Sequence, residues 1–203
     1  MRWEPVVSKS TTAYVGLDVD SRFIHVAMSV PGEAAAVEWR VANEDRAVRR
    51  LAKRLLKAAP DVGLHACYEA GPTGYTLQRK LQEAGVLCDV IAPSLIPKKP
   101  GEHVKTDRRD ARKLAELLEA GLLTEVRPPT EAEEAARDLC RAREDAVEDR
   151  TTCRQRLSKF VLRRGLRWNR TPWTHGHRKW LRTLSFEGGA QVAFDGYLLA
   201  LER

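Results

Sequence analysis

Four carboxylates in this sequence have the type and spacing that metal-dependent phosphodiester chemistry requires. Asp18 closes an apolar, β-rich run from Ala13 to Val19, and Glu69 follows a second run from Val62 to Tyr68. Asp107 and Asp110 stand three apart where a helical pattern begins, hence on one helix face. Clustered carboxylates repel one another and need cations. Their hard oxygens select Mg²⁺ or Mn²⁺, and a pair of such ions about 4 Å apart activates a nucleophile and stabilises a leaving oxygen. Taken singly, each acid also has an ordinary reading as a turn residue, a solvated strand end or a favourable charge at a helix N-terminus. His103, Lys105, Arg108, Arg109, Arg112 and Lys113 surround the last pair, with Lys98 and Lys99 just upstream. These cations either steer a phosphate backbone towards the acids or neutralise the acidic middle of the chain.

The elements that must position these acids can be read from periodicity. After an N-terminal tail (residues 1–12), Ala13 to Val19, Phe23 to Val30 and the alternating Val37 to Val41 predict a three-strand meander. Asn43 is a candidate cap for a helix from Glu44 to about Ala59, with Val48, Leu51, Leu55 and Leu56 on one stripe and Pro60 as its stop. A strand from Val62 to Tyr68 delivers Glu69, a helix spans Tyr75 to Ala84, and Val86 to Ile91 is a fifth strand. Pro93 to His103 reads as a loop, and Thr106 as the cap of a helix running from near Asp107 to Gly121. The order β-β-β-α-β-α-β-α predicts an α/β fold of ribonuclease-H-like kind over residues 13–127: a mixed five-stranded sheet with flanking helices. Strands one and four are then neighbours, and all four acids converge at strand ends, where open sheets meet ligands.

Pro128 and Pro129 mark a boundary. Thr130 and Glu133 have capping-box spacing, and neither Pro nor Gly recurs before Gly165, so residues 130–165 predict one long helix. Leu139, Ala146, Cys153 and Phe160 recur every seven, but Asp149 and Arg156 are poor core residues. Both a coiled coil and a single helix packed on its own domain are consistent with this pattern. Residues 166–203 form a basic, Trp-rich C-terminal segment.

With 35 Lys+Arg and 28 Asp+Glu, the net charge is +7, but it is unevenly placed: +3 over residues 1–100, −4 over 101–150 and +8 over 151–203. Between Arg154 and Arg182 stand ten Lys/Arg, among them Arg156, Lys159, Arg163, Arg164 and Arg167, and no acid. Trp168, Trp173, Trp180, His175 and His177 are interleaved with them. This composition suits nucleic acid, with cations on phosphates and flat rings on unpaired bases; the alternative is a solvated basic tail. No apolar run approaches a membrane span and no secretory signal opens the chain, so a cytoplasmic protein without membrane contact is expected. Cys67, Cys88, Cys140 and Cys153 contain no C-x-x-C pair and read as small core residues.

Three stretches carry a family resemblance. Gly16-Leu17-Asp18-Val19-Asp20, Tyr68-Glu69-Ala70-Gly71-Pro72-Thr73-Gly74 and Lys105-Thr106-Asp107-Arg108-Arg109-Asp110-Ala111 resemble the motifs of the DEDD-type insertion-sequence transposases. These are RuvC-like recombinases guided by a bridge RNA. Ile91-Ala92-Pro93-Ser94 and the helix after Pro129 extend the resemblance over about residues 13–165. It implies that Asp18, Glu69, Asp107 and Asp110 coordinate Mg²⁺ (or Mn²⁺) and catalyse, and that the long helix is a coiled-coil segment serving homo-oligomer assembly and RNA binding. The implied partners are DNA and a guide RNA.

The family also carries a C-terminal domain with a serine nucleophile. Ser185, the only serine in residues 166–203, lies in a Leu-Ser-Phe-Glu-Gly context that does not fit, so no nucleophile is assigned. The expectation is therefore a transposase catalytic domain, truncated or separated from its serine domain, acting on DNA phosphodiesters. Two alternatives stand beside it. One is a metal-dependent Holliday-junction-type nuclease using water, and the other a catalytically silent nucleic-acid-binding or oligomerisation remnant.

Overall fold

The computed structural model describes residues 11–33, 35–60, 62–97 and 107–202. Contacts divide the chain into two units, residues 1–129 and 130–203.

In the first unit, strands β1 (Thr12–Val19), β2 (Phe23–Ser29) and β3 (Val37–Ala42) form the meander; helix α1 (Asp45–Ala58) crosses to β4 (Gly63–Glu69), and α2 (Thr76–Glu83) to β5 (Leu87–Ile91). The sheet order is β3-β2-β1-β4-β5, antiparallel on the meander side of β1 and parallel on the other. Helix α3 (Asp107–Glu119) completes the unit. This is the ribonuclease-H-like α/β architecture.

Strand β1 lies at the centre and is clothed on both faces. Ala13, Val15 and Leu17 join Ile24, Val26 and Met28 of β2 and Val48, Leu51 and Leu55 of α1 in the main core. The alternate residues of β1 face the other way, where Leu114 and Leu118 of α3 pack with Cys67, Ile91 and Tyr14. A two-residue period on the strand thus sorts apolar residues towards α1 and α2 and sends Gly16 and Asp18 towards α3.

Several local expectations are revised. Asn43 does not cap α1: the cap position is Glu44, without a side-chain hydrogen bond, and Asn43 Nδ2 donates instead to the Asp20 carbonyl at 2.8 Å. The amide finds a better-placed acceptor in the β1–β2 turn. Leu56 is exposed while Ala52 takes the buried position, since 3.6 residues per turn carry Leu56 off the stripe. A single 3₁₀ turn, Pro93–Leu95, opens the expected loop. Thr106 and the rest of that loop beyond Pro97 lie outside the described residues.

The second unit contains α4 (Glu131–Leu162), α5 (His175–Thr183) and α6 (Gly189–Glu202). The capping box is present: Thr130 Oγ1 accepts from the Glu133 N–H at 3.2 Å, and Glu133 Oε2 accepts from the Thr130 N–H at 2.7 Å. Only the last turns of α4 enter a core, where Leu157, Phe160 and Val161 meet Leu181 and Phe194. Phe160 anchors it, with the Phe194 ring stacked at 5.7 Å and Phe186 edge-on at 5.3 Å. Residues 135–150 are exposed throughout, Leu139 to 73%. Cys140 is exposed and Cys153 half-buried, so only Cys67 and Cys88 are core cysteines. The C-terminal basic segment is two helices on an aromatic core rather than a solvated tail.

Candidate active site

The geometry turns on Gly16. A Cβ placed there would lie 1.9 Å from the Ala111 carbonyl oxygen and 2.6 Å from the Ala115 nitrogen, so the α3 backbone rests directly on the β1 backbone. No other residue type permits that approach without moving the helix. Two residues further along the same face of β1 comes Asp18, and one residue before Ala111 comes Asp110; both are half-buried.

Strand β4 supplies the next acid. Gly16 pairs with Cys67 and Leu17 with Tyr68 in parallel register, so the following step sets Asp18 beside Glu69, the exposed last residue of β4. The Cys67 thiol points at α3, 3.8 Å from the Leu114 carbonyl oxygen, which places Glu69, two residues on, on the same side. Burial, aided by the charge of Asp89, pushes the Cys67 thiol up to about 12, so it is a packing group and no nucleophile. Asp18, Glu69 and Asp110 therefore share one end and one face of the sheet. Asp107 begins α3 a turn earlier, and its side chain lies outside the described residues. Among the described residues, no three His, Cys, Asp or Glu side chains stand close enough together to hold an ion. In chemistry, however, an all-carboxylate set is what a hard divalent cation takes.

Neighbouring residues have separate roles. The backbone N–H of Arg22 (2.5 Å), followed by that of Phe23 (2.8 Å), holds the Asp20 carboxyl below the usual carboxylate range, so Asp20 belongs to the β1–β2 turn. His25 stands across from Asp18 in the antiparallel register, a placement that only strand pairing reveals.

The expected phosphate-binding cations differ in their surroundings. Arg112 is paired within the fold, donating Nε to Glu38 Oε1 at 2.7 Å and Nη2 to the same oxygen. It ties α3 to β3. Arg109 is exposed, while Lys98, Lys99, Lys105 and the Arg108 side chain lie outside the described residues. In the second unit, Arg156, Lys159, Arg163 and Arg167 are exposed. Arg164 lies 3.5 Å above the Phe160 ring and donates Nη1 to the Phe160 carbonyl at 3.1 Å, closing the end of α4. Arg154 sits over Trp173 at 5.1 Å with a buried Nε that has no partner among the described residues.

The family model of the DEDD transposases of IS110 type, described as a transposase, matches residues 15–164. The chain belongs to the IS110-type DEDD transposase family. A Sinorhizobium fredii protein named "Putative transposase y4qE" is 43% identical over 187 residues, covering 90% of this chain and 47% of that protein. The transposase for insertion sequence element IS1533 of Leptospira borgpetersenii is 36% identical over 189 residues, 91% of this chain and 54% of its own length. The chain spans about half the length of these relatives. Among solved structures, T. thermophilus RuvC in complex with a Holliday junction substrate matches 57% of this chain and 99% of its own, with a TM-score of 0.36 and 12% identity. The IS110-type match ends in the turn after α4, but the two transposase alignments are long enough to reach into residues 165–203. Both alignments therefore extend past the family match into α5. No described helix is long and apolar enough to cross a membrane.

Proposed function

We propose that this chain is the metal-dependent catalytic part of a DNA transposase, with Asp18, Glu69, Asp107 and Asp110 as the Mg²⁺- or Mn²⁺-holding set. The observation that carries the reading is the backbone contact at Gly16, which seats the first turns of α3 over the adjacent ends of β1 and β4. The order of the four acids along the chain, Asp-Glu-Asp-Asp, fits the family to which the chain belongs. Bound there, a divalent cation would polarise a phosphodiester oxygen and lower the pKa of an attacking hydroxyl or water. The protein's own part is positional. Asp18 and Glu69 are fixed by parallel pairing, Asp110 by the α3–β1 contact, and α3 itself by the Arg112–Glu38 pair. The reading extends to DNA as substrate, a guide RNA held through the basic second unit, and self-assembly through the exposed stretch of α4 with Leu139 and Val147.

Calorimetric titration of Mn²⁺ and Mg²⁺ into the whole chain tests the centre. Saturable binding is expected in the parent, with loss in Asp110→Asn and in Asp107→Asn at unchanged thermal unfolding temperature. Equal binding by parent and variants would overturn the reading.

A further inference from the structure

The second unit contains a cavity of about 510 Å³ that the metal site does not use. Its size falls in the range of small-ligand pockets. Val161 and Leu166 give it an apolar floor; Trp168, Trp180 and His177 form an aromatic wall; Arg167, Asn169 and Arg170 stand at its polar side. The indole of Trp168 lies 5.5 Å from that of Trp180, and the His177 ring stacks on Trp180 at 5.6 Å. Both indoles are half-exposed, whereas His177 is only 5% exposed.

His177 is fixed by a hydrogen bond as well as by its packing on Trp168, Trp173 and Trp180. Its Nδ1 accepts the Trp173 backbone N–H at 2.9 Å, which puts the ring proton of the neutral imidazole on Nε2. That nitrogen belongs to a side chain that lines the cavity. Trp173 makes this bond from a left-handed backbone conformation (φ 64), the sole non-glycine case among the described residues. Such strain costs of order one fold-stabilising contact and persists where the surroundings impose it. Here it orients the His177 ring.

The charge around the cavity selects the ligand. From Arg150 to Phe186 the chain has no Asp or Glu, so a cationic guest is repelled. Arg167, Asn169 and Arg170, exposed beside the cavity, and the His177 ring offer an anion and a hydrogen-bonding edge contacts that a purely apolar guest would not use. A flat, hydrogen-bonding ring attached to an anion satisfies all of them.

We propose that this cavity binds one unpaired nucleotide of a single-stranded nucleic acid, its base stacked on the Trp168/Trp180 wall and its phosphate held by Arg167 and Arg170. The base edge meets the His177 N–H and Asn169. The proposal rests on the nucleic-acid-binding part of the reading above and is independent of the metal site.

Fluorescence anisotropy with the whole chain and labelled ten-nucleotide oligo(U) and oligo(dT) tests it. Trp168→Leu is expected to weaken binding about tenfold, the magnitude of one stacked base. Arg167→Gln/Arg170→Gln, both at exposed positions, should lower the salt slope by between one and two, with circular dichroism unchanged. Photocrosslinking of a 5-iodouridine oligonucleotide should label Trp168 or Trp180 by peptide mapping. A preference for oligo(U) over oligo(dT) would identify RNA as the source, and the reverse preference DNA; either supports the pocket. Parent-like affinity in both variants, with crosslinks elsewhere, would overturn the pocket and leave the nucleic-acid reading intact. Absence of oligonucleotide binding by the parent chain would overturn both.

Discussion

At the scale of single residues, Gly16 and His177 are the positions where the structure makes its sharpest demands. Any side chain at Gly16 collides with the main chain of α3, which cannot yield as a flexible side chain would. Gly16→Val is therefore expected to lower stability by about 3 kcal/mol, at the upper end of overpacking costs, and to lift Asp110 away from Asp18. Urea unfolding followed by far-ultraviolet circular dichroism gives the first quantity. A variant as stable as the parent would show that α3 does not rest on β1 as described. His177 makes the second prediction. Burial lowers its pKa from the ordinary value of 6.5, and its Nδ1 must be unprotonated to accept from Trp173. The unfolded chain therefore takes up the proton first as pH falls. This contribution to stability is complete above about pH 6.5 and declines as pH falls through that value towards the lower folded pKa. Tryptophan-monitored urea midpoints should drop between pH 8 and pH 5.5 and drop less in His177→Asn; identical profiles in the two proteins would sink the assignment.

At the scale of elements, the strands and the helices of the first unit follow from period and punctuation. Local chemistry fixes the start of α4 just as directly, since Thr130 and Glu133 need only each other. Thr130→Ala should cost about 1 kcal/mol, read as a lower helical signal and a lower denaturation midpoint. A change in neither would mean that the capping box is idle. Asn43 shows the limit of such reasoning. It has the right residue type beside a helix start, yet the β1–β2 turn, 23 residues away in sequence, offers its amide a carbonyl and wins. The Trp-rich segment shows another. Its composition suits a solvated tail as well as a folded unit, and the choice is visible only when Phe186, Phe194 and Tyr197 are found around Phe160 of α4.

At the scale of the whole molecule, positive charge is concentrated in residues 151–203. Residues 1–100 carry +3 and residues 151–203 carry +8, with a net −4 between them. Single-stranded oligonucleotide binding should accordingly depend on the second unit and be steeply salt-sensitive. About four phosphate contacts imply a logarithmic slope near −3 and roughly a fiftyfold loss between about 50 and 200 mM salt. A slope near zero, measured on the whole chain, would exclude backbone electrostatics as its source of affinity.

The sequence by itself determined the element order of the first unit, the long capped helix and the candidate acids, because each depends on residues within one turn or one alternation of each other. It also carried the family motifs. Tertiary structure alone decided which acids share a face. Asp18, Glu69 and Asp110 are far apart along the chain, and only parallel pairing of β1 with β4 and the bare backbone at Gly16 set them at one sheet end. The same holds for the partner of Arg112, since Glu38 stands 74 residues away in sequence. The cavity behind Trp168 and Trp180 is of this kind as well, since its walls come from the end of α4, the following loop and α5. Long-range packing chooses among partners that local sequence leaves equivalent, and that choice separates a solvated basic tail from a folded unit with a pocket.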